Sequence, residues 1–305
     1  MITSFFKSIW NGIIDRKWIL LKFAGYSFFV IIFYILFLWF LFPYNELVAK
    51  LTNSLGNSTT MEVSVKNAKG AFPIGLKLED VTLIVTKGKK ANHIFNAKQI
   101  ILKPSIISIF KGWISLNTNA SLYNGDVNMG FGLKKDKFYL NGVIKNISIG
   151  DYSVLKDMYG LNMNGTVNAK LDITGSLNNI QADNGNVFLS MRDVNLEPST
   201  IMGILTIPKI SFGEIKIPLF IKNGEVHIED ASQTSNDINS QLNGSIILGY
   251  PLVDSMLNIQ LKFNPTPGTE KNIKNAVPIF MLKRDVTGYY NVSIKGNLNM
   301  PRFEQ

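Results

Sequence analysis

The feature that most constrains this chain is a stretch without charge between Lys22 and Glu46. Phe23 to Phe42 reads FAGYSFFVIIFYILFLWFLF, 20 residues. A helix rises about 1.5 Å per residue, so that length crosses a hydrocarbon core of about 30 Å. A cleaved secretory signal has a shorter apolar stretch followed by small residues at a peptidase site. Here the stretch ends in Trp39, Phe40, Phe42, Pro43 and Tyr44, an aromatic belt suited to a membrane–water interface. The expectation is a retained single-pass anchor over residues 23–43, with Lys22, Trp39, Phe42 and Tyr44 at its interfaces. Lys7, Arg16, Lys17 and Lys22 precede the span, opposed by Asp15. The positive-inside rule therefore keeps residues 1–22 cytoplasmic and sends everything after Pro43 across the membrane. Phe5, Phe6, Ile9, Trp10, Ile13 and Ile14 recur at helical spacing and are expected to lie along the inner leaflet.

Beyond the span, Tyr44, Leu47, Val48, Leu51 and Leu55 fall on one helical face, so residues 44–60 read as an amphipathic linker helix ending near Gly56. From Met61 the apolar period becomes two. Met61/Val63/Val65, Leu76/Leu78, Val81/Leu83/Val85, Val167/Ala169/Leu171/Ile173, Val187/Leu189/Met191, Ile215/Ile217/Leu219/Ile221 and Leu257/Ile259/Leu261/Phe263 are the alternations of half-buried strands. Gly132, Gly142, Gly150, Gly160, Gly165, Gly175 and Gly185 recur beside Asn and Asp, and read as turns of an antiparallel meander. Short helices are expected at 104–112, at 151–159 with Asp151 as N-cap, at 198–206 and at 269–283; loops are expected at 236–244 and 264–268. No βαβ crossover is visible. The fold class is mainly β: one N-terminal transmembrane helix, then a long, curved antiparallel β-sheet domain over residues 61–305 with a few short helices.

Strands of this kind need a partner for their apolar face. A sheet folded on itself supplies one, and the alternation alone leans that way. An open sheet instead leaves a groove for acyl chains or another protein's strand. In that case Ile215, Ile217, Leu219 and Ile221 are the candidate groove wall.

The sequence offers little for catalysis. There are no cysteines and 2 histidines, His93 and His227, neither with a partner at metal-ligand spacing. No Gly-x-Ser-x-Gly elbow is present, and the GxG of Met129 to Leu133 lacks a third glycine and a following helix. Glu79/Asp80 and Glu229/Asp230 read as solvated residues at strand ends. The net charge of +9 comes from Lys and Arg scattered singly along the chain, without the basic tract of a nucleic-acid arm. No cofactor, metal or nucleic-acid partner is expected.

Several stretches resemble the type II secretion system protein N family (GspN) and, more distantly, the AsmA-like proteins of Gram-negative envelopes. They are FPYNELVAKL (Phe42 to Leu51), GAFPIGLKLEDVTL (Gly70 to Leu83), Ile100 to Phe131, Gly160 to Met191 and the closing IKGNLNMPRF (Ile294 to Phe303). The resemblance implies a noncatalytic bitopic protein of the bacterial inner membrane with a periplasmic β domain. Its implied partners are other secretion-apparatus subunits. The AsmA-like side implies instead a groove that binds or transfers lipid, with phospholipid or lipopolysaccharide acyl chains as ligands.

Overall fold

The structure, a computed structural model, describes residues 2–58, 61–87, 90–201, 205–249, 252–276, 284–298 and 300–304. Helices α1 (Ile2–Leu41) and α2 (Tyr44–Ser58) lead into strands β1 (Met61–Gly70), β2 (Leu76–Lys87) and β3 (Lys90–Pro104). Helix α3 (Ile106–Phe110) precedes β4 (Ile114–Leu122), β5 (Gly125–Lys134) and β6 (Lys137–Ser148). Helix α4 (Val154–Tyr159) precedes β7 (Met163–Ser176) and β8 (Asn179–Leu196), and a small hairpin of β9 (Ser199–Ile201) and β10 (Leu205–Ile207) follows. The chain continues through β11 (Ile210–Lys222), β12 (Glu225–Thr234), β13 (Ile238–Ile247), β14 (Met256–Pro265), α5 (Pro267–Ala276), β15 (Tyr290–Asn297) and β16 (Met300–Glu304).

Apart from the β9–β10 hairpin, the strands form one 14-stranded antiparallel meander in chain order, with β8 pairing directly to β11. At about 4.8 Å per strand this is a sheet roughly 60 Å across. Tight turns set the register. Tyr123 and Asn124 between β4 and β5, and Asn223 and Gly224 between β11 and β12, all have positive φ, as a two-residue hairpin turn matched to strand twist requires. The β1 edge is covered by α2: Asn45 Oδ1 accepts the Ala68 N–H at 2.6 Å, and Val48 is buried there. An unpaired strand edge is thereby closed.

The long strands hold their faces through a device that the alternation does not announce. In β8 the apolar residues run Val187, Leu189, Met191 and then slip by one to Val194 and Leu196. In β12, Val226 and Ile228 slip to Ala231; in β6, Leu140 and Ile144 slip to Ile147. Each slip is a β-bulge with an exposed left-handed residue: Asp193 (φ 52), Asp230 (φ 51) and Asn146 (φ 54). Asp and Asn tolerate this conformation better than other residues with a side chain. One extra residue returns the apolar set to its original face.

This corrects several sequence expectations. Glu79/Asp80 and Glu229/Asp230 lie in mid-strand, in β2 and β12, because Asp serves a left-handed step there, not a strand end. Most of the recurring glycines also lie inside strands. Gly132 is one: a Cβ there would meet the Tyr139 ring, which lies across it. Within the helix expected at 198–206, residues 199–201 and 205–206 instead lie in the paired strands β9 and β10, in keeping with the β-branched Thr200, Ile201, Thr206 and Ile207, and residues 202–204 lie outside the described residues. Most of the loop expected at 236–244 belongs to β13, which begins at Ile238. The N-cap of α4 is Ser153, not Asp151, and α5 ends at Ala276; residues 277–283 of the expected helix lie outside the described residues.

Within α1, Trp18–Phe37 is long and apolar enough to cross a membrane, with a mean hydropathy of 2.2 and 0% of it buried. An apolar helix of this length without protein cover is consistent with a single-pass membrane anchor. The α1 backbone is one helix from Ile2, while the side chains of Phe5, Phe6, Ile9, Trp10, Ile13 and Ile14 lie outside the described residues.

Candidate functional site

Directly paired residues of an antiparallel sheet share a face, so the register assigns every strand residue to one side. One file of paired positions crosses all fourteen strands: Gly70, Leu76, Leu102, Thr118, Met129, Gly142, Leu171, Val187, Leu219, Ile228, Gly244, Ile259, Ile294 and Phe303. A parallel file on the same face runs Ala68, Leu78, Ile100, Ala120, Val127, Ile144, Ala169, Leu189 and Ile217. The opposite face carries Lys103, Asn117, Asn141, Asp172, Asn186, Phe220, His227, Ser245, Asn258 and Lys295 among its paired positions. The sheet is therefore amphipathic along its entire width.

The two faces differ in exposure. On the polar face Asn117, Asn141, Asp172, Asn186 and Phe220 are exposed. On the apolar face Leu76, Leu102, Met129, Leu171, Val187 and Leu219 are only half-buried. A second layer packed over them would bury them outright. Their partial shelter instead comes from one another, which is what converging side chains on the inside of a bend provide. The total surface, with the uncovered α1 included, is 20630 Å² for a chain of 34.1 kDa, against roughly 13,000 Å² for a compact monomer of that mass.

The four candidate wall residues lie on β11 within this face, all half-buried. Ile215 faces Met191 and Gln233, Ile217 faces Leu189, Leu219 faces Val187 and Ile228, and Ile221 faces Gly185 and Val226. These four residues occupy one strand of an apolar face that many strands share. Leu171 on β7 and Val187 on β8 belonged to the same alternation signal, but only the register places them beside Leu219.

The face begins at the anchor. Trp39 and Phe42 of the anchor's end, with Tyr44, line an apolar cavity of about 470 Å³ together with Ile35, Pro73, Ile74, Leu76, Leu102, Pro104 and Leu116. That volume is in the range of small-molecule sites. Leu76 and Leu102 belong to the fourteen-strand file, so the cavity is continuous with the apolar face. Phe72 meets Trp39 edge-on at 6.1 Å, and Phe42 lies 4.9 Å from Tyr44. Gly70 permits the close fit, because a Cβ there would stand 2.6 Å from Trp39 Cδ1. Lys22 is exposed near the other end of the span, seventeen residues before Trp39.

Among the described residues no group of three or more His, Asp, Glu or Cys is placed to hold a metal ion. His227 is on the polar face, 3.7 Å from Glu225. Glu79 accepts hydrogen bonds from Lys77, Lys69 and Asn67. The Lys77 and Lys69 ammonium groups pull its carboxyl pKa down to about 2, so it stays ionised and paired. No family model, curated protein or solved structure matches the chain.

Proposed function

We propose that this protein is a noncatalytic, membrane-anchored acyl-chain-binding protein whose uncovered apolar sheet face is the ligand groove. The observation that carries this reading is the fourteen-strand file, whose Leu76, Leu102, Met129, Leu171, Val187 and Leu219 are half-buried with no second sheet over them among the described residues, and which opens into an apolar cavity beside the N-terminal helix. A lipid moving from the bilayer to that face meets apolar surface at every step, so its chains are never fully hydrated. The polar face leaves the sheet soluble on its other side. The basic flank of the span supports a cytoplasmic N-terminus and a β domain in the periplasm of a bacterial inner membrane protein. Phospholipid or lipopolysaccharide chains are the ligand class.

Lipid analysis of the full-length protein, purified in a mild non-lipid detergent, tests the proposal. Wild type should carry lipid in near-stoichiometric amounts beyond a helix-only control, and Leu171→Lys with Val187→Lys should remove most of it. Equal lipid in wild type and variant would overturn the reading.

Association with a type II secretion apparatus is a second reading, supported by β16, the last strand of the sheet, which among the described residues offers its outer edge to another chain's strand. Crosslinking in the native host should then recover secretin or inner-membrane platform subunits through residues 300–304.

A further inference from the structure

The β domain leaves bulky apolar side chains open in two groups: Ile247, Leu252, Met256, Leu298 and Met300 at the far end of the sheet, and a second group beside the anchor, whose neighbours share a cavity with the span. Helix α3 and the start of β4 present Ile107, Ile109, Phe110 and Ile114, with Phe110 88% exposed and Ile114 75% exposed. Monomeric proteins rarely leave so many bulky apolar groups together in water without a use for them. The cavity already described fixes where this patch sits. Pro104, one residue before the N-cap of α3, and Leu116, just after the patch, line that cavity with Ile35 and Trp39 of the membrane helix. Ile35 lies inside the apolar window and Trp39 just beyond it, so the cavity straddles the depth at which the helix leaves the hydrocarbon. On the neighbouring loop Phe72, also exposed, touches Trp39. The patch is thus flanked by residues that share a cavity with the end of the span.

Its chemistry suits the same place. Lys111 follows Phe110 directly, and Lys134 donates to the Lys111 carbonyl at 3.1 Å while its ammonium stands 5.9 Å from the Trp113 ring centre. Apolar side chains projecting outward with lysines and a tryptophan behind them form the pattern of a shallow membrane insertion, in which the lysines reach headgroup phosphates. Val286, in the turn before β15, is also exposed but lies far along the sheet from the anchor.

We propose that α3 is a second membrane contact, dipping Ile107, Ile109, Phe110 and Ile114 into the leaflet from which α1 emerges. The span alone is a pivot about which the sheet can swing. With α3 inserted there are two points of attachment, and the cavity mouth is pinned against lipid. This contact stands on the anchor's geometry and not on what the groove carries.

The natural chain has no cysteine, so single cysteines can be introduced into the full-length protein, labelled with an environment-sensitive fluorophore and reconstituted in phosphatidylethanolamine–phosphatidylglycerol vesicles. Labels at Phe110→Cys and Ile107→Cys should emit at blue-shifted wavelengths and lose at least half their intensity to lipids spin-labelled high on the acyl chain. A label at Val286→Cys should show neither effect. Water-like emission at both α3 positions would overturn the proposal. So would a blue shift without lipid quenching that disappears when protein is diluted in excess lipid, since that result assigns the patch to a second copy of the chain. Lipid carried by the groove is measured separately in the same samples, so failure of either idea is distinguishable from failure of the other.

Discussion

Two regions of the one sheet have the same alternating sequence and different fates. Near its C-terminal end, Leu196, Ile210, Ile238 and Tyr290 form a closed core with Leu161, Met163, Ile207, Phe212 and Phe263 packed against it. Phe263 and Tyr290 stack at 5.3 Å, and the buried Gln233 side chain donates to the carbonyls of Phe212 and Ile238. Between β2 and β11 Leu76, Leu102, Met129, Leu171, Val187 and Leu219 stay half-buried, while Val81, Ala97 and Ala120 are buried. The difference lies in what covers the face. The core has the β10 residue Ile207 and the segment before β7 laid over it, and α4 packs on β3 with Val154 buried, whereas Met129, Leu171 and Val187 in the middle of the sheet stay half-buried. Stability is concentrated in the covered end, which leaves the uncovered stretch free to exchange one apolar partner for another.

The sharpest way to break this comparison is to truncate matched residues in the two regions. Leu196→Ala, in the core, should cost about 2–5 kcal/mol of unfolding free energy. Leu171→Ala, on the wall, should cost less than about 2 kcal/mol, because much of that side chain gives up no protein contact. Denaturant melts of the full-length protein in detergent measure both, and equal losses would mean that the wall is covered. Gly70→Val comes next. The added side chain collides with Trp39 and Tyr44, and relief of such overpacking typically costs about 1–3 kcal/mol. The predicted outcome is a loosened junction between anchor and β1, with several-fold slower lipid exchange from vesicles and little change in the melt of the core. A smaller effect is expected at the bulges. Asp230→Ala places an ordinary residue at φ 51 and should destabilise by about 1 kcal/mol, while Asp230→Gly should be close to neutral. The smallest concerns pH. The Glu79 pKa is depressed in the folded chain to about 2 from its ordinary value of 4.5, so its contribution is complete above the unfolded value and is lost as pH falls from about 4.5 to 2. Lys77→Met should flatten that part of the stability curve.

Much of this architecture was legible in the residues. The uncharged stretch after Lys22 marks the apolar helix, and the alternations at Val167–Ile173, Val187–Met191 and Ile215–Ile221 each mark a strand that forms. What escaped was where the period breaks. Asp230 and Asp193 have turn chemistry, and only the register reveals that the same left-handed preference is used in mid-strand to hold a face. The wall was named at β11 alone because period two tells which residues share a face within a strand, while the neighbours across the sheet depend on turn lengths and bulges. Openness was illegible for a related reason. Covered and uncovered faces both need alternate apolar residues, so Leu196 and Leu171 look alike until the covering elements are in place. The cavity at the anchor joins residues from Ile35 to Leu116, and no spacing rule connects them.

The central claim is that lipid occupies the uncovered face. A photocrosslinking amino acid placed at Leu171, with the matched probe at Asn186 on the polar face, tests it in living cells. The account predicts that irradiation attaches lipid to the Leu171 probe and none to the Asn186 probe, seen as a mass increase on the intact protein. Equal labelling at the two positions, or protein crosslinks alone at Leu171, would contradict it.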